Sequence, residues 1–510
     1  MNPGTRKLSD DDRLTFLAHA ISMSSLYGPG PWPQHAQELP DEPPRPDDGR
    51  PYISTTVMDG IRTHHLSAQS EPAGAVTEVA GLLQSGAPFA ALHERLSQGS
   101  ALAICDDLIR ELASRKVPVS RAYEAGRWLA EHGTHREATK IGIVLVGACG
   151  GEPDRELLLL LGTLEEFTLY AAVALLRTQP DRQRAVYELA RRVTGWGRIH
   201  AVERLEGCDD PEVRAWLLRE GFRNDIMNAY LAPLAATTGD LYSALLDPEP
   251  DEALVDGAGG ILAALVTGEG GPVSGISAYD DAVPALDRYA GLAETRTATL
   301  RRLGGLLTIL EGLRRPPSDG YGWRDGDLAA LRRRYEEVVG QRRWSELALA
   351  GVADPAAEDF GSALHCATRL GLPVLPQVMA RLRVDPRDSF AWYEVTRLAE
   401  PTVLVELAEE LLPMDSLANG PGDRIFGDGH ERALEPVVEK LGSSPGTGLS
   451  LLRVALRNRV VRLRRSAVRV LAAWPDVPGE AVAWVRAAYE VEPDEELRGD
   501  MRAFLAGTRR

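Results

Sequence analysis

Apolar residues recur at helical spacing along most of the chain. In residues 9 to 26, Leu14, Leu17, Ala18 and Ile21 share one face of a 3.6-residue period, which predicts an amphipathic helix within an N-terminal segment 1–27. The stretch from Gly28 to Pro51 is rich in Pro, Gly and Asp and predicts a linker or wrapping arm. Next, YISTTV and IRTHHL flank Met58-Asp59-Gly60. Asp-Gly between β-branched, alternating runs predicts a two-stranded hairpin over 52–67, packed on a helix because an isolated hairpin is marginal in water. From 70 to 246 the pattern is helix, short turn, helix. Residues 247–282, with Pro248-Glu249-Pro250 and GEGGPVSG, predict a long loop insertion around one short helix. Helical patterning resumes over 283–510, with breaks at Pro316 to Gly326 and Asn419 to Gly429.

The punctuation is periodic. Gly133 precedes Thr134-His135-Arg136-Glu137, and Gly162 precedes Thr163-Leu164-Glu165-Glu166, 163 − 134 = 29 residues later. Both have the S/T-x-x-E form of a capping box, in which Thr and Glu satisfy free N–H groups at a helix start. Asp181 and Asp210-Pro211-Glu212 also read as helix starts, again 210 − 181 = 29 residues apart. Helices of about 10 to 14 residues recurring at this interval predict an all-α, right-handed α-solenoid, each pair burying an apolar stripe against its neighbours.

Composition narrows the function. Hydrophobic residues make up 44% of the 510 and charged residues 26%, while aromatics are only 6%, so Ala, Leu and Val must supply the helix packing. A net charge of −17 opposes binding to duplex nucleic acid or an anionic membrane, because both need clustered cations. The only lysines are Lys7, Lys116, Lys140 and Lys440. Cys105, Cys149, Cys208 and Cys366 lie far apart without a CxxC pairing, and no apolar run approaches the roughly 18–20 residues needed to span a bilayer. Neither does the N-terminus carry the apolar run of a signal peptide. These features predict a reduced, cytoplasmic protein.

FTLYAAVALL (167–176) and VVRLRRSAVRVLAAW (460–474) resemble the inner helix of a HEAT repeat. AEHGTHREATKIGIVLVG (130–147), GRIHAVERLEG (197–207) and PEVRAWLLREGFRNDIMNAYLA (211–232), with MDGIRTHHL and FLAHAISMSSLYGP, resemble a group of bacterial HEAT-like proteins. Some members of that group carry the label limonene hydroxylase. The resemblance implies a helical-repeat fold and, through the label, a monooxygenase activity, but brings no catalytic residues with it.

Hydroxylating a hydrocarbon needs activated oxygen, hence haem, flavin or iron. Cys149, before Gly150-Gly151, comes nearest to a haem-thiolate loop but ends an apolar helix. The Gly257 to Gly260 run lacks G-x-G-x-x-G spacing and a preceding strand. His135 and Glu137 with His200 have the residue types of a two-His, one-carboxylate iron site, yet i and i+2 diverge on a helix and Glu137 has its capping role. His64 and His65, adjacent on a predicted strand, would face opposite ways. HExxH, GxSxG and P-loop patterns are absent. No cofactor, metal or catalytic residue is therefore assigned.

What remains is a non-catalytic scaffold binding a protein or other partner on its concave face. In the segment from Gly197, Ile199, Val202 and Leu205 form a buried stripe and leave His200, Glu203 and Arg204 facing away. In a following helix Ile226, Tyr230 and Leu231 pack, and Asn224 and Asn228, four apart, share a polar face. His200, Arg204, Asn224 and Asn228 are the candidate binding residues. The Arg453 to Arg469 ridge is expected to be balanced by Glu490 to Glu496, and the acidic arm Asp41 to Asp48 to be solvated or folded onto an Arg ridge. The expected far-ultraviolet circular dichroism spectrum is helix-dominated; a strand fraction near the ~20–25% usual in globular proteins would overturn this reading.

Overall fold

The structure, a computed structural model, describes residues 13–43, 54–65, 73–271, 273–316 and 320–507. Among these the chain is helical throughout and forms no strand; one isolated parallel bridge joins Arg424 to Val460. The described residues fall into two compact units. One is drawn from the described residues of 13–43, 54–296 and 308–336, the other from those of 297–307 and 337–507.

In the first unit the expected amphipathic helix runs over Phe16–Tyr27. Its Phe16 is buried and meets Phe167 edge-on, with centroids 5.1 Å apart. The described part of the Pro-rich segment, residues 28–43, packs on this unit, with Trp32, Ala36 and Leu39 buried. Gln37 reaches the helix Glu165–Thr178, accepting from the Glu165 N–H at 2.8 Å and donating to the Thr163 carbonyl at 3.1 Å. Asp41, in the arm expected to be solvated or folded onto an Arg ridge, buries its carboxylate against the single Arg136. It accepts from the guanidinium at 2.7 Å and from the Arg136 backbone N–H at 2.9 Å, so it caps the helix Arg136–Cys149. Asp47 and Asp48 lie outside the described residues.

The hairpin expectation is wrong. Thr55–His65 is a helix, and the Asp-Gly step lies inside it. Tertiary contacts override the β-branched pattern here. Thr55 and Thr56 both donate to Glu166 Oε2, and Asp59 accepts from Lys140 Nζ at 3.0 Å. The long-loop expectation for 247–282 also fails. After the Pro248–Pro250 turn, Asp251 caps the helix Glu252–Gly268, at 17 residues the longest described, with Ile261 and Leu262 wholly buried.

Neither Thr capping box forms. His135, not Thr134, is the N-cap of Arg136–Cys149, and the Glu137 carboxylate goes to the Ala101 N–H at 2.6 Å and to Lys140 at 2.9 Å. Thr163 ends the preceding helix by donating to the Leu159 carbonyl, while Leu164 is the N-cap of the next. The motif looked local, but its acids are claimed by a buried cation. Asp210 does cap Pro211–Trp216, its carboxylate accepting from the Glu212 and Val213 N–H groups.

That cation is Lys140, wholly buried between Asp59 (3.0 Å), Glu137 (2.9 Å) and Glu166 (2.6 Å). Burial alone would lower its pKa; the surrounding negative charge outweighs this and holds it well above the ordinary value. In the second unit, Arg464 is buried against Glu492, with Nε to Oε2 at 2.7 Å, and also donates to the carbonyls of Asn458 and Gly422. Only part of the Arg ridge is balanced from Glu490 to Glu496, where Arg465 pairs with Asp494 and Glu496; Arg459 and Arg462 pair instead with Glu431 and Glu435.

Replacing Lys140 by Met would strand three carboxylates in the core. Lys140→Met is expected to destabilise the first unit by about 3–5 kcal/mol in urea unfolding, the cost of breaking a buried ion pair from one side. A change below about 1 kcal/mol would mean that the cluster does not hold the fold.

Candidate functional site

Two helices far apart in sequence build the site: Thr55–His65 and Gly195–Glu203. The second begins at Gly195, whose φ of +55° is a left-handed conformation that favours glycine. A Cβ there would also lie 2.2 Å from Glu165 Oε1. Glu165, on another helix, caps this start, its Oε1 accepting from the Trp196 N–H at 2.6 Å and the Gly197 N–H at 3.4 Å. Burial raises the Glu165 pKa against those hydrogen bonds. Trp196 is thereby fixed, and Gly60 lies on its ring: a Cβ at Gly60 would come 2.2 Å from Trp196 Cδ2. Glycine here lets the two helices touch.

This contact brings His64 over the second helix. Its Nδ1 lies 2.9 Å from the Gly60 carbonyl and its Nε2 2.6 Å from Glu203 Oε1. The Gly60 carbonyl and an ionised Glu203 both accept, which favours a ring protonated on both nitrogens. The Glu203 hydrogen bond raises the His64 pKa. Burial pushes the Glu203 carboxyl up, but hydrogen bonding to His64 and the charges of His64 and Arg204 bring it below its ordinary value.

His200 is only 4% exposed, and its Nδ1 lies 4.0 Å from Glu203 Oε2. Burial, with Arg204 nearby, lowers its pKa to about 3, so it is neutral. Arg204 donates to the His200 carbonyl at 2.6 Å and to Glu203 Oε2 at 3.3 Å. One donor atom each from His64, His200 and Glu203 lies within 4.8 Å of the others. This is the donor set that suits a first-row divalent metal. Aromatic rings surround it. His64 has Trp196 at 5.2 Å and Tyr230 and His200 each at 5.4 Å, centroid to centroid, and His65 Nε2 lies 2.6 Å from the Tyr230 hydroxyl.

The sequence-derived candidates are thus divided. Ile199, Val202 and Leu205 are wholly buried as expected. His200 does not face solvent, because the Thr55–His65 helix covers the face on which it lies. Arg204 braces Glu203. Asn224 and Asn228 do not share a helical face, since no α-helix forms there. Asn224 is 1% exposed and folds a turn, accepting from the Ile226 and Met227 N–H groups at 3.0 and 2.8 Å and donating to the Met227 carbonyl at 3.1 Å. Asp225 sits at the crest with φ +64°, and Asn228 opens the short 3-10 turn Asn228–Tyr230. Ile226, expected to pack, is 47% exposed beside Met227 at 42%. His135 and Glu137 are a helix cap and a Lys140 partner.

Sequence reasoning missed His64, because the hairpin reading put His64 and His65 on opposite faces of a strand. On a helix both rings reach Tyr230, with centroids 5.4 and 5.9 Å away. Helical spacing from Asp59 and Gly60 to His64 was the available signal.

No family model matches the chain, and neither does any curated protein or solved structure.

The Gly60 contact is testable. Gly60→Ala is expected to destabilise the first unit by about 1–3 kcal/mol in urea unfolding, the usual range for overpacking. A variant as stable as the parent would mean that the Thr55–His65 helix does not rest on Trp196.

Proposed function

We propose that this chain is a non-catalytic, cytoplasmic helical-repeat protein that docks a protein partner. In this reading the helix pairs of each unit stack as HEAT-like repeats of a right-handed α-solenoid, and the docking surface lies at the Asn224–Tyr230 turn. The observation that carries it is the exposure of Ile226 and Met227 on a turn that Asn224 makes rigid. The exposed His65 and the adjoining Tyr230 extend this surface as a hydrogen-bonded pair. Apolar and aromatic side chains held on a preorganised backbone form the buried centre of protein interfaces, and ordering them in advance lowers the entropy lost on binding. The net charge of −17 keeps nucleic acid out of this reading.

The test is affinity capture by the full chain, followed by titration of the captured partner against Ile226→Asp/Met227→Asp protein. Loss of more than about tenfold in affinity is expected from two central apolar residues. Unchanged affinity would remove the turn from the interface. The competing reading, a limonene hydroxylase-type monooxygenase, predicts hydroxylated product from limonene, oxygen and a reductant, which docking does not.

A further inference from the structure

We infer that His64, His200 and Glu203 bind one divalent first-row transition-metal ion. This goes beyond the docking reading and does not depend on it.

The first argument is the donor set. Two imidazoles and a carboxylate suit zinc, iron or cobalt and leave further coordination positions for water. The second is spacing. A metal about 2.0–2.2 Å from each ligand sets ligand atoms roughly 3–3.5 Å apart. Here His64 Nε2 and Glu203 Oε1 are 2.6 Å apart, His200 Nδ1 and Glu203 Oε2 4.0 Å, and the whole set falls within 4.8 Å. Reaching that spacing takes shifts of about an ångström in the ligand atoms.

The third argument is orientation. Histidines that bind metal through one ring nitrogen donate the other N–H to a carbonyl or carboxylate, which fixes tautomer and ring plane. His64 already has this arrangement, with Nδ1 on the Gly60 carbonyl and Nε2 directed at Glu203. On binding, the cation takes the place of the Nε2 proton, which leaves to solvent, and Nδ1–H stays where it is.

The fourth is His200. Its Nδ1 lies 4.0 Å from Glu203 Oε2, beyond hydrogen-bond distance, on a ring that is only 4% exposed. A metal ion bound there would take both atoms as ligands. The rings of Trp196 and Tyr230 shield the site and strengthen attraction between cation and carboxylate.

The experiment uses the full chain after chelator treatment. It is titrated with Co²⁺, read by visible absorption, and with Zn²⁺, read by calorimetry. One equivalent is expected to bind the parent, and Zn²⁺ is expected to raise its unfolding temperature. His200→Ala and Glu203→Gln should each weaken binding by more than about 100-fold, exceeding the effect of losing a residue that only orients a ligand. Glu203→Gln keeps size and hydrogen bonding, so it tests the site even if His200→Ala fails to fold. His132→Ala, at an exposed histidine stacked on Trp128, should bind as the parent does, which excludes that surface histidine as the source. Absence of a Co²⁺ band in the parent overturns the inference and leaves a plain His64–Glu203 hydrogen bond. Parent-like binding by Glu203→Gln overturns it as well. Partner capture is read separately, so either reading can fail without the other.

Discussion

Lys140 is shut off from water and still charged, and it can be so only because carboxylates from three directions meet it. An unpaired ammonium in that position would lose its proton or force the helices apart. Asp59 comes from the Thr55–His65 helix, Glu137 from the preceding turn of its own helix and Glu166 from a third. Because Glu166 also takes the hydroxyls of Thr55 and Thr56, one buried cation fixes how the Thr55–His65 helix lies. Arg136, one turn before Lys140, adds Asp41 and Glu42 and pins the N-terminal arm to the same place. Burial opposes ionisation of Asp59 enough to raise its pKa against the pull of Lys140, so the cluster's charges stand only while its members stay together.

The candidate site inherits its geometry from this anchor. With Asp59 held by Lys140, the next residue, Gly60, rests on Trp196 and the following turn of helix places His64 above Glu203. Trp196 is held in turn by Glu165, the neighbour of Glu166 in sequence. The two adjacent acids therefore have different tasks. Glu166 closes the ion cluster, and Glu165 caps the helix that carries His200 and Glu203. A single register on Glu165–Thr178 sets both halves of the site.

The second unit uses the same device with other residues. Arg464 is wholly buried against Glu492 and spends its remaining N–H groups on two backbone carbonyls. A guanidinium suits this place because its planar fork can serve a carboxylate and carbonyls together, whereas the compact ammonium of Lys140 suits a point between three carboxylates. In both units the small, mostly aliphatic core leaves orientation to be set by a few buried ionic groups.

Much of the fold is legible along the chain. The 3.6-residue spacing of Ala, Leu and Val determined that the chain is helical, because the interaction it reports, burial of one face, is the one that builds helices. Asp210-Pro211 also read true, since a cap and its helix are neighbours in sequence. Where a residue's partner lies far away, the local signal misled. Thr134 and Thr163 match a capping motif whose glutamates are taken by Lys140; Asp59-Gly60 matches a turn whose Asp is held by that lysine and whose Gly meets Trp196. Asn224 reads along the chain as half of a polar pair on a helix face, but only the fold shows that it shapes a turn exposing Ile226 and Met227. His200 reads along the chain as a surface residue, and it is buried. Its burial and its meeting with His64 across 136 residues were decided by tertiary structure, because the energy of a buried charge or a shared ligand site depends on distance in space, which sequence spacing does not carry.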